Sequence, residues 1–231
     1  MTLAIAIKAV DAIVVAADSR GTIGDPRGLT AVNDTQQKLF QFGNCALALA
    51  GSGEVALAIL DEFTKHGLNN PQNVDDAVAA FAQAANWCDG WYGTITPDQR
   101  PGTMFLLAGY RAVAGTPAPV PMVYLLASNT RFAPQLVGGY PMMIGVPQYA
   151  VYLSHRYYDA AISSDNAAAL AEYLIAETAS QDPKVGGPIR IAKVLPNSYQ
   201  LLTDDQVSEL KKRNQKLNDK LKRFFMTGAR R

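Results

Sequence analysis

The chain has 231 residues, of which 48% are hydrophobic and 18% charged, and this composition predicts one sizeable globular domain and excludes a disordered chain. No apolar stretch approaches the roughly 18 residues that would cross a bilayer, so no membrane association is expected. The net charge is +1, but residues 204–231 carry nine bases against four acids, so the body is mildly acidic. Its scattered bases lack interleaved aromatic residues, which argues against nucleic-acid binding.

Cysteine and histidine are too few and too scattered to build a disulfide framework or a metal centre. Cys45 and Cys88 lie in apolar stretches, which favours a reducing compartment and therefore the cytoplasm. His66 and His155 stand far apart, with no cysteine or carboxylate at ligand spacing. We therefore expect neither zinc nor another metal.

The first residues contain a complete candidate catalytic unit. Thr2 follows Met1 and precedes the apolar run at 3–7, which predicts a first strand over 2–8 and lacks the pattern of an export signal. Removal of Met1 would leave Thr2 with both a hydroxyl and a free α-amine. Such an amine has a pKa of about 7.7–8.0 and can act as a base near neutral pH.

The remaining elements follow in the order strands, two helices, strands, two helices, strands. Glycines and Pro26 predict a loop over 21–28, and Gly43-Asn44 predicts a hairpin turn. The apolar positions Val55, Leu57, Ile59, Leu60 and Phe63 predict a buried face of the first helix. The predicted strands are 13–17, 29–32, 38–42, 45–50, 104–109, 122–127, 131–137, 189–195 and 199–202, and the predicted helices are 53–66, 74–91, 148–161 and 165–180.

This order predicts an α+β fold in which two antiparallel sheets stack and carry helix pairs on both outer sides, because alternating βαβ units are absent. Residues 1–203 form the predicted main domain, and 204–231 form a basic helix and tail. The helix has apolar residues spaced by threes and fours and one polar interruption, Asn214. It could form a coiled-coil seam, but we favour docking on its own body or on a neighbouring subunit. The apolar positions are Val207, Leu210, Leu217, Leu221 and Phe224.

Five motifs in the same order and at similar spacing make residues 2–203 resemble the catalytic β-subunits of the proteasome family. The turn at 51–53 and the helix after it resemble the bacterial HslV peptidase and its proteobacterial relatives more than the archaeal β-subunits. The resemblance implies the N-terminal nucleophile hydrolase fold, a four-layer αββα sandwich. The motifs are Thr2, the Ala16-Ala17-Asp18-Ser19-Arg20 strand end, Lys38-Leu39-Phe40, Ala50-Gly51 and Asp182-Pro183-Lys184-Val185-Gly186-Gly187.

The same resemblance implies a threonine endopeptidase without cofactor or metal. Its subunits would form a homo-oligomeric double ring in the cytoplasm that degrades unfolded polypeptides, with an ATP-dependent unfoldase as a partner. Thr2 would be the nucleophile, and Lys38, held by Asp18, would stabilise the alkoxide and lower the pKa of the amine. Gly51 would donate its N–H to the oxyanion, and Asp182 would orient the amine.

Two positions depart from the family pattern. Ile144-Gly145-Val146 stands where a Gly-Ser-Gly motif is usual, and Val185 stands where a second serine usually follows the late aspartate. The missing hydroxyls would normally orient the amine or its water. Slower or narrower activity, or none, would follow.

Other functions remain as alternatives. Gly51-Ser52-Gly53-Glu54-Val55-Ala56 matches a dinucleotide-binding turn, but the acidic strand end required about 20 residues later is not predicted. Two further alternatives are an inactive scaffold subunit of the same fold and an N-terminal-nucleophile amidase that acts on small amides. A serine hydrolase is disfavoured because no Gly-x-Ser-x-Gly motif occurs.

Overall fold

A computed structural model describes residues 2–24, 30–116, 118–138 and 141–227. Among these residues, no helix is both long and apolar enough to cross a membrane. The helices are α1 (Gly53–Lys65), α2 (Val74–Tyr92), α3 (Gln148–Tyr157), α4 (Ser164–Gln181) and α5 (Asp204–Thr227). The strands are β1 (Leu3–Lys8), β2 (Ile13–Ala17), β3 (Gly21–Gly24), β4 (Thr30–Asn33), β5 (Leu39–Phe42), β6 (Cys45–Gly51), β7 (Thr103–Arg111), β8 (Val120–Ala127), β9 (Gln135–Leu136), β10 (Met142–Gly145), β11 (Arg190–Leu195) and β12 (Ser198–Leu201).

Two five-stranded sheets form the centre of the molecule. The first has the strand order β10-β1-β2-β11-β12 and the second has the order β5-β6-β7-β8-β9. Strands β3 and β4 make a separate two-stranded ribbon. Every strand pair in the described part of the chain is antiparallel. The parallel βαβ unit that a dinucleotide-binding turn needs is therefore absent from these residues.

The period-two pattern of the strands divides each sheet into an inner and an outer face. Small residues such as Ala4 in β1 and Ala48 in β6 meet between the two sheets. On the outer face of the first sheet, Ile5 packs with Leu174 of α4. On the outer face of the second sheet, Phe105 packs with Phe81 of α2. The predicted α+β, four-layer αββα sandwich is confirmed.

Capping residues set where the helices begin. The Ser52 hydroxyl accepts the Val55 N–H at the start of α1. At the start of α5, Thr203 and Gln206 exchange side-chain bonds with each other's backbone N–H groups, which is a capping box. These caps fix the strand-to-helix turn at Gly51 and the direction in which α5 leaves the body.

Several predicted boundaries are wrong, each for a local reason. Residues Gly21–Gly24 form strand β3 and not a loop, while residues 25–29 lie outside the described part of the chain. The predicted strand at 131–137 shrinks to β9, because Arg131 and Phe132 both adopt a φ of 54°. Leu57, expected on the buried face of α1, is 55% exposed.

The region between 141 and 161 also differs from the prediction. Strand β10 was not predicted, although it forms the edge of the first sheet beside β1. Helix α3 ends at Tyr157, four residues before the predicted end. Its last turn stops where the Tyr158 backbone becomes extended.

Phe81 lies at the centre of an aromatic cluster in the core, and its truncation should be costly. Its ring centroid lies 5.0 Å from that of Phe63 and 5.2 Å from that of Phe105. We expect Phe81→Ala to lower the free energy of unfolding by about 3–5 kcal/mol, measured by chemical denaturation. Leu57→Ala, on the exposed side of α1, should change it by less than about 0.5 kcal/mol. Equal losses in both variants would contradict this packing.

Glu172 of α4 is a buried carboxylate beneath α5. Its Oε2 accepts a hydrogen bond from Asn214 Nδ2 of α5. Burial raises the pKa of Glu172 above the ordinary value of 4.5, although Asn214 acts in the opposite direction. The folded chain therefore binds more protons than the unfolded chain between these two pKa values, and its stability falls as the pH rises through that window.

Glu172→Gln should therefore be more stable than the unchanged protein at neutral and slightly alkaline pH. The advantage should shrink as the pH falls towards 4.5, because the carboxyl is then neutral in both states. Thermal melting across this pH range provides the measurement. Glu177→Gln is the matched control, because Glu177 also accepts a hydrogen bond from an asparagine of α5, Asn218, but is less buried than Glu172. The same gain in both variants would show that burial of Glu172 is not its cause.

Candidate active site

The Asp18 carboxylate lies at the centre of the candidate site. It follows the last residue of β2 and is buried, and four donors surround it. Oδ1 accepts the Leu3 N–H at 3.0 Å and Lys38 Nζ at 2.9 Å. Oδ2 accepts the Arg20 N–H at 3.2 Å and the Gly186 N–H at 3.0 Å. One side chain thus joins four separate segments of the chain.

Lys38 reaches this carboxylate from the residue before β5, in the other sheet. Its side chain is 2% exposed, and Nζ also donates to the Arg20 carbonyl oxygen. Burial lowers the pKa of Lys38, while the charge of Asp18 and its hydrogen bond act in the opposite direction. The predicted ion pair between these two residues is present, and it places a buried cation next to the start of β1.

Both polar groups of the peptide bond between Thr2 and Leu3 are hydrogen-bonded. Its carbonyl oxygen accepts the Val146 N–H at 2.8 Å, and the next N–H, that of Leu3, is bound by Asp18. Gly145 lies opposite with a φ of +96°, and a Cβ there would come within 1.7 Å of the Thr2 oxygen. A side chain at position 145 is therefore excluded, which is a physical reason for the serine missing at this place.

Gly51 ends β6 at the turn into α1. Its φ is +97°, and a Cβ would lie 2.2 Å from the Gly102 carbonyl oxygen, so the backbone requires glycine. Leu49, two residues earlier, donates its N–H to the Lys38 carbonyl oxygen at 2.9 Å. This bond places Gly51 at the same end of the second sheet as Lys38. No hydrogen bond joins Gly51 to Thr2 within the described residues.

Asp182 accepts its hydrogen bonds from residues of the loop that follows it. It caps the end of α4, and its Oδ1 accepts the Lys184 N–H at 2.8 Å. Its carbonyl oxygen accepts the Val185 N–H at 3.1 Å. Among the residues that the structure describes, no hydrogen bond connects Asp182 with Thr2. Asp182 instead shapes the loop 182–187 that carries the Gly186 N–H to Asp18.

Val185 stands where the second serine was expected, and it is buried. It packs into the core between the first sheet and the helices α3 and α4. Apolar packing therefore occupies this position, so the loop is anchored through Val185 and the Gly186 backbone. The Gly186 carbonyl oxygen also accepts the Ser19 N–H at 3.0 Å.

Arg20 received no role in the sequence analysis, although it stands two residues after Asp18. Its guanidinium forms a two-pronged ion pair with Asp34, Nε to Oδ1 at 2.7 Å and Nη2 to Oδ2 at 2.9 Å. Nη1 donates to the Pro183 carbonyl oxygen at 3.0 Å. A Cβ on Gly186 would lie 2.7 Å from the guanidinium carbon. Arg20 thus braces the loop that supplies one of the donors to Asp18.

No family model matches this chain, and no curated protein matches it. Several solved structures do match this chain. Anbu, the ancestral beta-subunit from Yersinia bercovieri, aligns with a TM-score of 0.74 at 15% identity over 97% of this chain and 96% of its own. The Anbu complex from Pseudomonas aeruginosa, a helical assembly, gives 0.71 at 19% identity over 96% of both chains. A Gly-1 mutant of Anbu from Hyphomicrobium sp. strain MC1 gives 0.70 at 18% identity, covering 98% and 97%.

These likenesses show the fold: the chain has the proteasome-like N-terminal nucleophile hydrolase fold. Coverage of 96–98% also extends the likeness beyond residue 203 and into α5. The closer relation to HslV expected from the turn at 51–53 stays a prediction. At this level of identity, the roles of individual residues rest on the geometry of the chain itself.

Replacing Gly145 should disturb Thr2 directly. Gly145→Ala adds a Cβ in collision with the Thr2 carbonyl oxygen at a φ that side chains disfavour, so β1 or β10 must shift. We expect a loss of about 1–3 kcal/mol in the free energy of unfolding, measured by thermal melting. Gly138→Ala, which meets nothing within 4 Å, is the control. An unchanged melting temperature for Gly145→Ala would refute the contact.

Proposed function

We propose that the chain is a threonine endopeptidase subunit in which Thr2, exposed by removal of Met1, hydrolyses peptide bonds of unfolded polypeptides. The observation that carries this proposal is the buried Lys38–Asp18 pair, because the same carboxylate binds the N–H of Leu3. A fixed positive charge is thereby attached to the start of β1, directly after Thr2. An ion pair that served only stability would not need to hydrogen-bond the peptide N–H directly after Thr2.

The proposed reaction uses two groups of one residue. Thr2 Oγ1 attacks the scissile carbonyl carbon while its proton passes to the freed α-amine, directly or through water. The peptide C–N bond then breaks, the leaving amine takes the proton, and the acyl group remains on Oγ1 as an ester. Water hydrolyses this ester by the same route and restores the free threonine.

Lys38 would assist in two ways. Its charge stabilises the oxygen that becomes negative during attack, and it lowers the pKa of the α-amine by like-charge repulsion. A lower pKa leaves more of the amine unprotonated at neutral pH, so the rate should rise with pH through a value below about 7.7–8.0. Asp18 holds the ammonium in place at 2.9 Å.

Gly51 and Asp182 complete the proposed site. Gly51 is exposed at this turn and has no side chain, so its backbone is accessible, and we assign its N–H to the oxyanion. Lys184 uses one oxygen of Asp182, and we assign the other to the α-amine of Thr2. The departures at Gly145 and Val185 remove hydroxyls that would share this work, so slow hydrolysis is expected.

We also propose a cytoplasmic homo-oligomer. The Anbu complex from Pseudomonas aeruginosa is described as a helical assembly, whereas the proteasome resemblance implies a double ring. Both architectures are built from repeated subunits, which supports contacts between copies of this chain. An ATP-dependent unfoldase would then supply unfolded chains, and an HslV-like peptidase is the corresponding sub-family.

The test is the intact mass after incubation with peptide epoxyketones whose terminal side chain is apolar, acidic or basic. These reagents need both the hydroxyl and the free amine of an N-terminal threonine to close their ring adduct. We expect loss of one methionine and gain of one inhibitor. Thr2→Ser should still react, and Thr2→Ala should not and should lose peptidase activity by about 10³-fold or more.

Two results would count against the proposal. Retention of Met1 would leave the amine in a peptide bond and favour the scaffold subunit. Loss of Met1 without an adduct from any of the three reagents would also favour the scaffold subunit. Adduct formation together with hydrolysis of small amides but not of casein would indicate the amidase instead.

A further inference from the structure

Thr103 is a buried threonine at the start of β7, opposite Gly51 of β6. The two residues are partners in the register of the second sheet, and Thr103 is 1% exposed. Its hydroxyl donates to the Ser52 carbonyl oxygen at 3.3 Å, and its N–H donates to Ser128 Oγ at 3.0 Å. Thr103 therefore joins the turn after β6 to the turn after β8.

The N–H of Gly51 faces the side of β6 on which β5 lies. Leu49 donates its N–H to the Lys38 carbonyl oxygen at 2.9 Å, and residues two apart in a strand direct their N–H groups to the same side. The register between β5 and β6 ends with Leu39 opposite Ala48. The Gly51 N–H is therefore directed past the start of β5, next to the segment that carries Lys38.

Gly51 has no side chain that could fix the direction of its N–H, so the segments on both sides must do so. The pairing with β5 holds the strand before it. After it, the Ser52 N–H donates to the Gly102 carbonyl oxygen at 2.9 Å. A Cβ on Gly51 would lie 3.1 Å from Thr103 Cα, so the β7 backbone closes against the glycine. A shift of Ser52 would therefore rotate Gly51.

The Ser52 carbonyl oxygen accepts two hydrogen bonds. One comes from the Ala56 N–H at 3.2 Å and belongs to the first turn of α1, and the other comes from the Thr103 hydroxyl. The helical bond alone satisfies this oxygen, so formation of α1 does not require the hydroxyl. The second bond instead ties the start of the helix to β7, the strand that lies against Gly51.

Ser128 and Tyr92 hold the segment that carries Thr103. The register between β7 and β8 ends at Ala127, and the Ser128 side chain then accepts the Thr103 N–H in place of a strand carbonyl. On the other side, Tyr92 at the end of α2 donates its hydroxyl to the Pro101 carbonyl oxygen. The start of β7 is therefore anchored from two directions.

We infer that Thr103 is a positioning residue for the proposed oxyanion donor: its hydroxyl fixes Ser52, and with it the direction of the Gly51 N–H. The β-branched side chain restricts rotation about χ1, so the hydroxyl keeps its direction. This inference deepens the proposed function and rests on the assignment of the Gly51 N–H to the oxyanion. Thr103 acts through the turn and does not contact the reacting atoms.

Thr103→Val tests this role, because it removes the hydroxyl and keeps the size and branching of the side chain. We expect kcat for a peptide substrate to fall by about tenfold or more and KM to change by less than about twofold, since the oxyanion forms only in the transition state. The pH at half-maximal rate should not move, because Lys38 and the α-amine of Thr2 are unchanged. Thr103→Ser keeps the hydroxyl and should recover most of the rate.

Thr178→Val is the matched control. Thr178 is also fully buried, and its hydroxyl also donates to a carbonyl oxygen of a helix, that of Leu174 at 2.8 Å. The same change of residue type at this place should leave kcat and KM within about twofold of the unchanged chain. Equal losses of kcat in the two valine variants would overturn the inference, because any buried hydroxyl would then matter as much.

Amide hydrogen exchange of the full chain measures the turn without relying on activity. Exchange over residues 50–56, followed by mass spectrometry, should become about tenfold faster in Thr103→Val, because the turn opens more often. It should stay unchanged in Thr103→Ser and in Thr178→Val. Unchanged exchange in Thr103→Val would reject the positioning role, whatever the activity.

The two measurements separate this inference from the proposed function. Faster exchange with an unchanged kcat in Thr103→Val would overturn the inference, while hydrolysis by Thr2 would stand. An unchanged chain that neither hydrolyses peptides nor forms the epoxyketone adduct would reject the proposed function and the oxyanion role together. Faster exchange in Thr103→Val would then assign the Thr103 hydroxyl to stability of the turn alone.

Discussion

The burial of one carboxylate, that of Asp18, determines how the parts of this molecule meet. A charged group in a protein interior is expensive unless donors surround it, and removing one partner of a buried pair typically costs about 3–5 kcal/mol. Asp18 collects a donor from β1, from the segment before β5, from its own strand end and from the loop 182–187. Because Lys38 directly precedes β5 of the second sheet and Asp18 directly follows β2 of the first, the pair also connects the two sheets.

Close backbone contact is the second constraint, and it explains where this chain departs from the family pattern. Gly145 faces the Thr2 carbonyl oxygen so closely that no side chain fits, and a Cβ on Gly186 would lie 2.7 Å from the guanidinium carbon of Arg20. The space that hydroxyls would need is taken by the main chain at 145 and by the buried Val185 in the loop. Few side-chain donors therefore lie around Thr2 among the described residues.

Much of the fold was predictable from the sequence, because apolar periodicity reports burial. The hairpin β5–β6, the helices α1 and α2 and the closing pair β11–β12 lie within a few residues of their predicted positions. The failures fall where tertiary contacts override local pattern. Met142–Gly145 forms a strand because β1 needs an edge partner, and the glycines of β3 pair with β4 although glycine is typical of loops.

The candidate site was predictable only in part. The Asp18–Lys38 ion pair is present beside the Leu3 N–H, whereas the grouping of these residues with Thr2 as a catalytic site follows from resemblance and stays a prediction. The bracing role of Arg20 was missed, since its partners Asp34 and Pro183 stand 14 and 163 residues away. The resemblance assigns Asp182 to the α-amine of Thr2. The bond that the structure shows, from the Lys184 N–H to Asp182 Oδ1, depends on a turn that no sequence pattern reveals.

Helix α4 connects α5 with the loop that reaches Asp18. Its inner face, including Leu174 and Ile175, packs against the first sheet. Its outer face binds Asn214 and Asn218 of α5, and its end at Asp182 starts the loop that delivers the Gly186 N–H to Asp18. A contact that fixes α5 therefore also restrains the element from which this loop departs. A substitution that displaces α4 would therefore weaken the hydrogen bond between Gly186 and Asp18 as well as the contacts with α5.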